Sequence, residues 1–286
     1  NVGVFPGSKK GASIDQDEME AWNLVYDQLT GPNTIVVEVH LGLSIEQERQ
    51  LFHDLNKLVK RVAAGLALKF DTANPVNQFV NEHLINSGAV KVTESDHPDW
   101  HKDTGAFTRK DLTSINSLMF LGVMSEKKAT PIHIQEYSDH AKRFWKQVVE
   151  IPHMGEPGSR ANTVAAQPVV LKAIAKLLRQ LGRDDKGPQL QADLLNNFAK
   201  FNYSHTNRLW RYYQLKSGGV SAQELETEFP KLATYLPSDD EGYNRDIGAF
   251  DNQKDWFRFS ARTNDVIPIL GDMFRWMISA PSRQKV

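Results

Sequence analysis

Apolar residues recur along most of this chain at the spacing of amphipathic helices. The stretch "QEYSDHAKRFWKQVVEI" places Tyr137, Ala141, Phe144, Trp145 and Val148 on one helical face. This pattern predicts a long helix whose apolar face packs against a core. The same spacing predicts further helices in several stretches, namely residues 112–123, residues 160–181, residues 194–215 and a last helix from about Pro268 to Ser279.

Turn-forming residues mark where these helices begin and end. Asn74 and Pro75 match an N-cap followed by an N1 proline, and Gly88 is placed to end that helix. Pro168 falls near the middle of residues 160–181 and predicts a kink or an interruption there. The polar stretches "SDHPDWHKDTG" and "PSDDEGYNRDIGAFDNQ" are expected to be loops.

A strand pattern is found near the N-terminus. The β-branched run from Thr34 to Val39 predicts a buried strand, and Ser44 with Gln47 matches a capping box that opens a helix. The chain is therefore expected to have an α+β fold. We predict an α/β unit over residues 1–70 and a predominantly helical domain over residues 71–286.

Composition narrows the classes of function. The 286 residues carry a net charge of −1, so a nucleic-acid contact would have to use a local basic patch. Cysteine is absent, which excludes disulfides, cysteine nucleophiles and cysteine zinc sites. No apolar run approaches the roughly 20 residues that span a bilayer, and we expect a cytoplasmic protein without a membrane partner.

The segment "LGLSIEQERQLFHDLNKLVKRVAAGLALKFD" carries a resemblance to a known family, as do "AKRFWKQVVE" and "LLNNFAKFNYSHTNRLW" further along. It resembles the DGQHR-domain proteins, whose best-known members are the DNA sulfur modification proteins called DndB. The resemblance implies a ParB- and sulfiredoxin-like fold for the N-terminal unit, part of which we expect upstream of Asn1. It also implies regulation of a phosphorothioation cluster or assistance to its modification machinery.

The family's signature turn is degenerate in this chain. In "SIDQDEMEAW", Asp15 and Gln16 match the Asp and Gln of the family motif, the glycine is deleted, and Asp17 and Glu18 replace the His and Arg. Carboxylates repel a phosphate, whereas the missing arginine would bind one. The turn is interpreted as an acidic helix start, which the helix dipole favours. The alternative is a divalent cation held by Asp15, Asp17 and Glu18.

Two stretches are candidates for contacts with double-stranded DNA. Arg49, His53, Asn56 and Lys60 form one polar stripe on the helix that follows Ser44, and the alternative is a solvated helix flank. The second stretch, "NYSHTNRLWRYYQLK", interleaves aromatic residues with Arg208, Arg211 and Lys216. Such a mixture suits the nucleic-acid backbone and stacked bases, but it also fits an amphipathic helix with buried aromatics.

Other arrangements are less specific. Arg258, Arg262 and Arg275 accompany Asn264 in "DWFRFSARTNDVIPILGDMFRW" and are phosphate-binding candidates, while Asn264 or Asp265 is expected to cap the last helix. The alternating His97, Asp99, His101 and Asp103 have metal-ligand side chains but not the spacing of the helical zinc motif. We interpret this string as a polar surface loop. Walker A and nucleophile-elbow sequences are absent.

The sequence therefore predicts a non-catalytic, DNA-associated regulatory or accessory component of a prokaryotic DNA-modification defence system, without cofactor or metal. Its expected partners are double-stranded DNA and other proteins of a modification cluster, and a homo-oligomer is left open. One alternative is a ParB-like, metal-dependent nucleotide hydrolase or nuclease. The other is a protein–protein scaffold, for which Trp22, Trp100 or Trp256 would be exposed anchors.

Overall fold

The computed structural model describes residues 73–93, 103–182, 187–237 and 247–279, together with positions 20, 23, 41–44, 51, 67, 68 and 71. This part of the chain is mostly helical, with two pairs of short strands, so the predicted α+β class is confirmed. The predicted ParB-like unit and the strand over Thr34–Val39 lie outside the described residues.

The α-helices are α1 (Pro75–Val80), α2 (Arg109–Leu121), α3 (Pro131–Glu150), α4 (Ser159–Asn162), α5 (Pro168–Leu181), α6 (Gly187–Asn197), α7 (Tyr212–Ser217), α8 (Ala222–Glu228) and α9 (Thr263–Ser279). A π-helical turn spans Asn81–Ile85, and 3-10 turns span Val164–Ala166, Phe198–Lys200, Arg208–Arg211 and Leu232–Thr234. The strands β1 (Val92–Thr93) and β2 (Phe107–Thr108) pair in parallel, whereas β3 (Gly248–Asp251) and β4 (Trp256–Phe259) form an antiparallel hairpin.

Local sequence signals explain the helices that were predicted best. The five apolar residues singled out on α3 are its buried residues, as the helical spacing requires. At α1, the Asn74 side chain accepts a hydrogen bond from the Val76 amide at 2.9 Å, and Pro75 takes the first helical position. Gly88 adopts a positive φ of 71° just after the π-helical turn, a conformation in which glycine meets no steric penalty.

Pro168 interrupts the predicted helix over residues 160–181 and does not merely kink it. Helix α4 ends at Asn162, a 3-10 turn follows, and Pro168 then begins α5. Proline is tolerated at a first helical position because the amide that it lacks would have no intrahelical partner there. The predicted helix is therefore two helices that meet at the proline.

Helix α5 forms the centre of the core. It packs against α2 and α9, and its buried residues cover most of its circumference, as expected for a helix enclosed by neighbours. One of its lysines, Lys172, is tied to Asp111 of α2 by an ion pair of 2.8 Å. The few polar residues of α5 therefore lie where the helix contacts neighbouring charged groups or solvent.

Two predictions about the C-terminal half are wrong. Residues 194–215 do not form one helix, because an extended loop over residues 201–207 separates α6 and its 3-10 turn from the next 3-10 turn. Residues 248–251, expected in a loop, form β3, because Phe250 pairs with Phe257 across the hairpin. The cross-strand contacts with β4 stabilise β3, whose own sequence has no strand pattern.

The last helix begins earlier than predicted. Helix α9 starts at Thr263, so Pro268 lies inside it and not in its first turn. Asp265 and Val266 both donate backbone hydrogen bonds to the Arg262 carbonyl. Helical hydrogen bonding is therefore established before the chain reaches Pro268. Asn264 and Asp265 are therefore helical residues and do not occupy the position that precedes a helix.

The chain divides into two compact units, Asn1–Lys60 and Arg61–Val286. The core around α5 belongs to the second unit. The division at residue 70 that the sequence predicts stays a prediction. None of the helices that the structure describes is long and apolar enough to cross a membrane.

Candidate nucleic-acid interface

Arg208 of the second predicted DNA-contacting stretch is held by acidic neighbours. The side chain of Asn207 caps the 3-10 turn by accepting from the Leu209 amide at 3.0 Å, which sets the start of the turn. The Arg208 guanidinium then lies 3.4 Å from Glu224 and 3.4 Å from Glu228 of α8. Two carboxylates therefore offset its charge, and a phosphate would have to compete with them.

Arg211, in the same turn, stacks on an aromatic ring. Its guanidinium carbon lies 4.2 Å from the ring centroid of Phe250 in β3, a cation–π geometry. Stacking uses the flat face of the guanidinium and consumes none of its N–H donors. Arg211 is half-buried, and it joins the predicted DNA-contacting stretch to the β3–β4 hairpin.

The structure thus brings together two basic stretches that are about 40 residues apart in sequence. Gln214 of α7 donates to the carbonyl of Gly248, which also ties this stretch to β3. On the hairpin and just after it, Lys254, Arg258 and Arg262 are exposed. We call Arg211, Lys254, Arg258 and Arg262 together the arginine hairpin.

Asp251 at the end of β3 and Asp255 in the turn before β4 partly offset the positive charge of the arginine hairpin. A contact with a phosphate backbone would therefore depend on individual guanidinium groups and not on a broad positive field. Lys254 lies over the Trp256 ring at 5.2 Å, and this half-buried tryptophan is the one scaffold anchor that the structure describes.

Buried polar side chains anchor the hairpin to the core. Gln167 donates to the Phe257 carbonyl at 2.7 Å and accepts from the Phe259 amide at 2.9 Å, so it bonds to alternate residues of β4. His205 accepts from the Phe257 amide at Nδ1 (2.9 Å) and reaches the Arg160 carbonyl with Nε2 (2.9 Å). These bonds bind the hairpin to residues that are 52 and about 90 positions earlier in the chain.

The hydrogen bonds of His205 indicate the tautomer of its neutral ring, although Nδ1 also lies 3.1 Å from the Phe257 carbonyl. Because Nδ1 accepts from an amide, the proton of the neutral ring is on Nε2, where it donates to the Arg160 carbonyl. Burial lowers the pKa of His205, although its two backbone hydrogen bonds oppose that shift. His205 is therefore a structural, neutral histidine near pH 7. Sequence reasoning singled out neither His205 nor Gln167, because their backbone partners are distant in sequence.

The aromatic residues beside the arginines belong to the core. Trp210 is fully buried and packs edge-on against Phe259, and its indole N–H donates to the Ser204 carbonyl at 3.0 Å. Tyr203 is buried too, and its hydroxyl donates to the Phe198 carbonyl at 2.8 Å. These rings are therefore not available for stacking on bases, which agrees with the buried aromatics of the alternative interpretation, although the stretch is not one helix.

Asp103 has a different environment from the one predicted. Its side chain is 3% exposed and lies 3.5 Å from the guanidinium of Arg160, whose side chain is 6% exposed. The surface-loop interpretation is therefore wrong for Asp103, because the carboxylate also accepts from the backbone of Gly105 and Arg160. In the part of the chain that the structure describes, no group of three or more His, Asp or Glu side chains is placed to hold a metal ion.

Most of the other predicted site residues lie outside the described residues. These are the degenerate motif, the polar stripe and three members of the histidine–aspartate string: Asp15, Gln16, Asp17, Glu18, Arg49, His53, Asn56, Lys60, His97, Asp99 and His101. Their roles stay predictions.

The comparison with known families decides where the chain belongs. A family model described as DndB, DNA-sulfur modification-associated, matches residues 19–235, which is more than half of the chain. The chain belongs to this DndB family. The resemblance drawn from the sequence is thereby confirmed at the level of the family, and it places the protein in the context of DNA sulfur modification. No curated protein and no solved structure matches the chain.

Proposed function

We propose that the protein is a non-catalytic, DNA-associated component that regulates or assists a DNA sulfur modification system. The observation that carries the proposal is the family match over residues 19–235. That range includes the polar stripe of Arg49, His53, Asn56 and Lys60, and it also includes Arg208 and Arg211. We take the cytoplasm as the site of action and double-stranded DNA as the partner, with other proteins of a modification cluster as further partners.

The arginine hairpin supports a DNA contact in the second unit. Arg258 and Arg262 are exposed, and guanidinium groups bind phosphate oxygens through paired N–H donors. Stacking leaves the N–H donors of Arg211 unused, although its Nε is buried. Arg208 contributes less in this proposal, since Glu224 and Glu228 already offset its charge.

Three ionisable groups of the core are engaged in structural contacts, which supports a binding role more than a catalytic one. His205 is neutral and has both ring nitrogens in backbone hydrogen bonds. Asp103 and Asp111 are each paired with a cation, Arg160 and Lys172 respectively. A general base needs a free lone pair that faces a substrate, and these groups direct theirs to the protein itself.

Fluorescence anisotropy with labelled duplex DNA tests the proposal. Affinity should fall steeply between about 50 and 200 mM salt, because each phosphate contact releases counterions. Arg258→Ala and Arg262→Ala should each weaken binding and lower the slope of log K against log salt by about 1. Lys142→Ala removes an exposed cation from α3, away from the hairpin in sequence, and serves as the matched control.

The remaining outcomes separate the alternatives. Binding that needs Mg²⁺, or DNA cleavage that is lost in Asp17→Ala, would favour the metal-dependent hydrolase or nuclease. Salt-sensitive binding that survives Asp17→Ala but weakens in Lys60→Ala would support the polar stripe as a second contact. If the protein bound no DNA either with or without Mg²⁺, both DNA hypotheses would be contradicted and the protein–protein scaffold would be favoured.

A further inference from the structure

An open groove lies where α2, α5 and α9 meet. Its larger cavity measures about 280 Å³ and is lined by the end of α2 and the residues after it, by Lys176 of α5, and by the first turns of α9. A smaller cavity of about 80 Å³ adjoins it, since Lys176 and Ile267 line both. The two cavities together form the groove, with Lys176 at their junction.

Lys176 differs from the other two cations of α5, Lys172 and Arg179. Lys172, four residues earlier, is paired with Asp111 at 2.8 Å, and Arg179 reaches Glu136 at 3.8 Å and stacks on Tyr137. The ammonium of Lys176 makes no hydrogen bond or ion pair within the part of the chain that the structure describes. Lys176 as a residue is half-buried and lines the groove, where a bound anion would be screened less than at the open surface.

Two more polar side chains line the larger cavity with Lys176. Thr263 supplies a hydroxyl and Asn264 an amide, both from the first turn of α9. The backbone amides of Thr263, Asp265 and Val266 already donate to the carbonyls of Ala261 and Arg262. The side-chain donors that the cavity offers a ligand are an ammonium, a hydroxyl and a carboxamide.

The rest of the larger cavity is apolar. Leu118 and Ile267 are each 3% exposed and form its floor with core side chains, while Val123 and Met124 from the segment after α2 complete the wall. Ligand pockets of this kind bury an apolar body and orient it with a few polar groups. The volume is slightly below the usual range of about 300–1,000 Å³, so the ligand should be small.

We propose that the open groove binds a small organic oxyanion, with its phosphate or carboxylate on Lys176, Thr263 and Asn264 and its apolar body against Leu118, Met124 and Ile267. A phosphate ester and a carboxylate both meet this description, provided that the oxyanion is attached to a single ring or to a short aliphatic body. This site goes beyond the proposed DNA-associated function and does not depend on it, because none of its residues belongs to the arginine hairpin.

The smaller cavity limits the charge of the ligand. Asp272 and Gln180 line it beyond Lys176, and burial raises the pKa of Asp272 to about 6, although the charge of Arg275 opposes the shift. Above that pH the carboxylate of Asp272 would repel a second negative group that extended past Lys176. The groove therefore favours one anionic group at the Lys176 end.

Isothermal titration calorimetry with four simple probes tests this site. Phenyl phosphate and benzoate carry the oxyanion and the ring, phenol carries the ring alone, and inorganic phosphate carries the anion alone. At least one of the first two should bind the wild-type protein about tenfold more tightly than either of the last two. The choice between phenyl phosphate and benzoate then distinguishes a phosphate ester from a carboxylate as the ligand.

Variants connect binding to the groove. Lys176→Gln keeps a polar side chain but removes the charge, and it should weaken binding at least about tenfold. Asn264→Ala changes an exposed residue and should weaken it about threefold to tenfold. Lys142→Gln, which removes an exposed positive charge from α3, should leave binding unchanged. Thermal melting of each variant confirms that it is folded.

Three outcomes would overturn the inference. They are equal binding in Lys176→Gln and wild type, binding of inorganic phosphate as tight as that of phenyl phosphate, and no binding of either ringed anion up to about 10 mM. Duplex-DNA anisotropy with Lys176→Gln separates this site from the proposed function, because DNA affinity should be unchanged. Failure of the groove thus leaves the DNA proposal standing, and failure of DNA binding leaves the groove standing.

Discussion

Replacing Asp103 by alanine should be among the most damaging substitutions in the second unit. The carboxylate accepts hydrogen bonds from the Gly105 amide at 2.9 Å, the Arg160 amide at 2.7 Å and the Ser159 hydroxyl at 3.2 Å. It also lies 3.5 Å from the Arg160 guanidinium, and both side chains are almost fully buried. Asp103→Ala removes all of these contacts at once and leaves the Arg160 charge buried without its partner.

The expected loss follows from that uncompensated charge. Breaking a buried ion pair by removing one partner costs about 3–5 kcal/mol of unfolding free energy. In a unit of this size each kcal/mol shifts the melting temperature by roughly 2–4 °C. The melting temperature of Asp103→Ala should therefore fall by roughly 6–20 °C. The melting temperature of Asp103→Asn should lie between those of the wild type and Asp103→Ala, because the asparagine amide keeps one acceptor oxygen but carries no charge.

Scanning fluorimetry and circular dichroism at neutral pH measure the effect. Asp139→Ala is the matched control, since Asp139 is exposed on α3, and it should change the unfolding free energy by no more than about 0.5 kcal/mol. If Asp103→Ala melted within about 2 °C of both the control and the wild type, the buried pair would contribute little. The assignment of Asp103 to a structural role would then be wrong.

Three further predictions, which use four substitutions, test the backbone and the groove. Gly105 and Gly88 both have positive φ (75° and 71°), but only at Gly105 would a Cβ lie 2.4 Å from neighbouring backbone. In thermal melting Gly105→Ala should thus destabilise by at least about 2 kcal/mol more than Gly88→Ala. Gly271 is helical and faces open space, so Gly271→Ala should raise the unfolding free energy by about 0.5–1 kcal/mol, and a lower denaturant midpoint would contradict this. Burial raises the pKa of Asp272 to about 6, so the folded state holds this proton more tightly than the unfolded chain. Protonated Asp272 therefore contributes to the unfolding free energy below about pH 4, and this contribution is lost as the pH rises through about 6. Asp272→Asn should therefore stabilise by about 1–2 kcal/mol at pH 7, since solvent screens this partly buried carboxylate, but little at pH 4, and equal denaturant midpoint shifts at both pH values would refute this.

The candidate interface was predictable only in part. Arg208 and Arg211 stand out in the sequence as cations among aromatics, and the burial of Trp210 agrees with the amphipathic alternative. The partners of the two arginines did not follow from the sequence, because Glu224 and Phe250 are 16 and 39 positions away. Which charge meets which ring or carboxylate depends on how loops fold back on the core.

What the sequence determined by itself is local. The buried face of α3 follows from side-chain spacing, and the start of α1 follows from the Asn74 cap and Pro75, because these effects act within one or two helical turns. The tertiary structure decided that residues 248–251 form a strand, since β3 exists only through its pairing with β4. It also decided that Asp103 is buried and that Lys176 lies in an open groove. Burial and the matching of charges depend on neighbours that are distant in sequence, so the same aspartate or lysine would be an ordinary surface residue if the chain were packed differently.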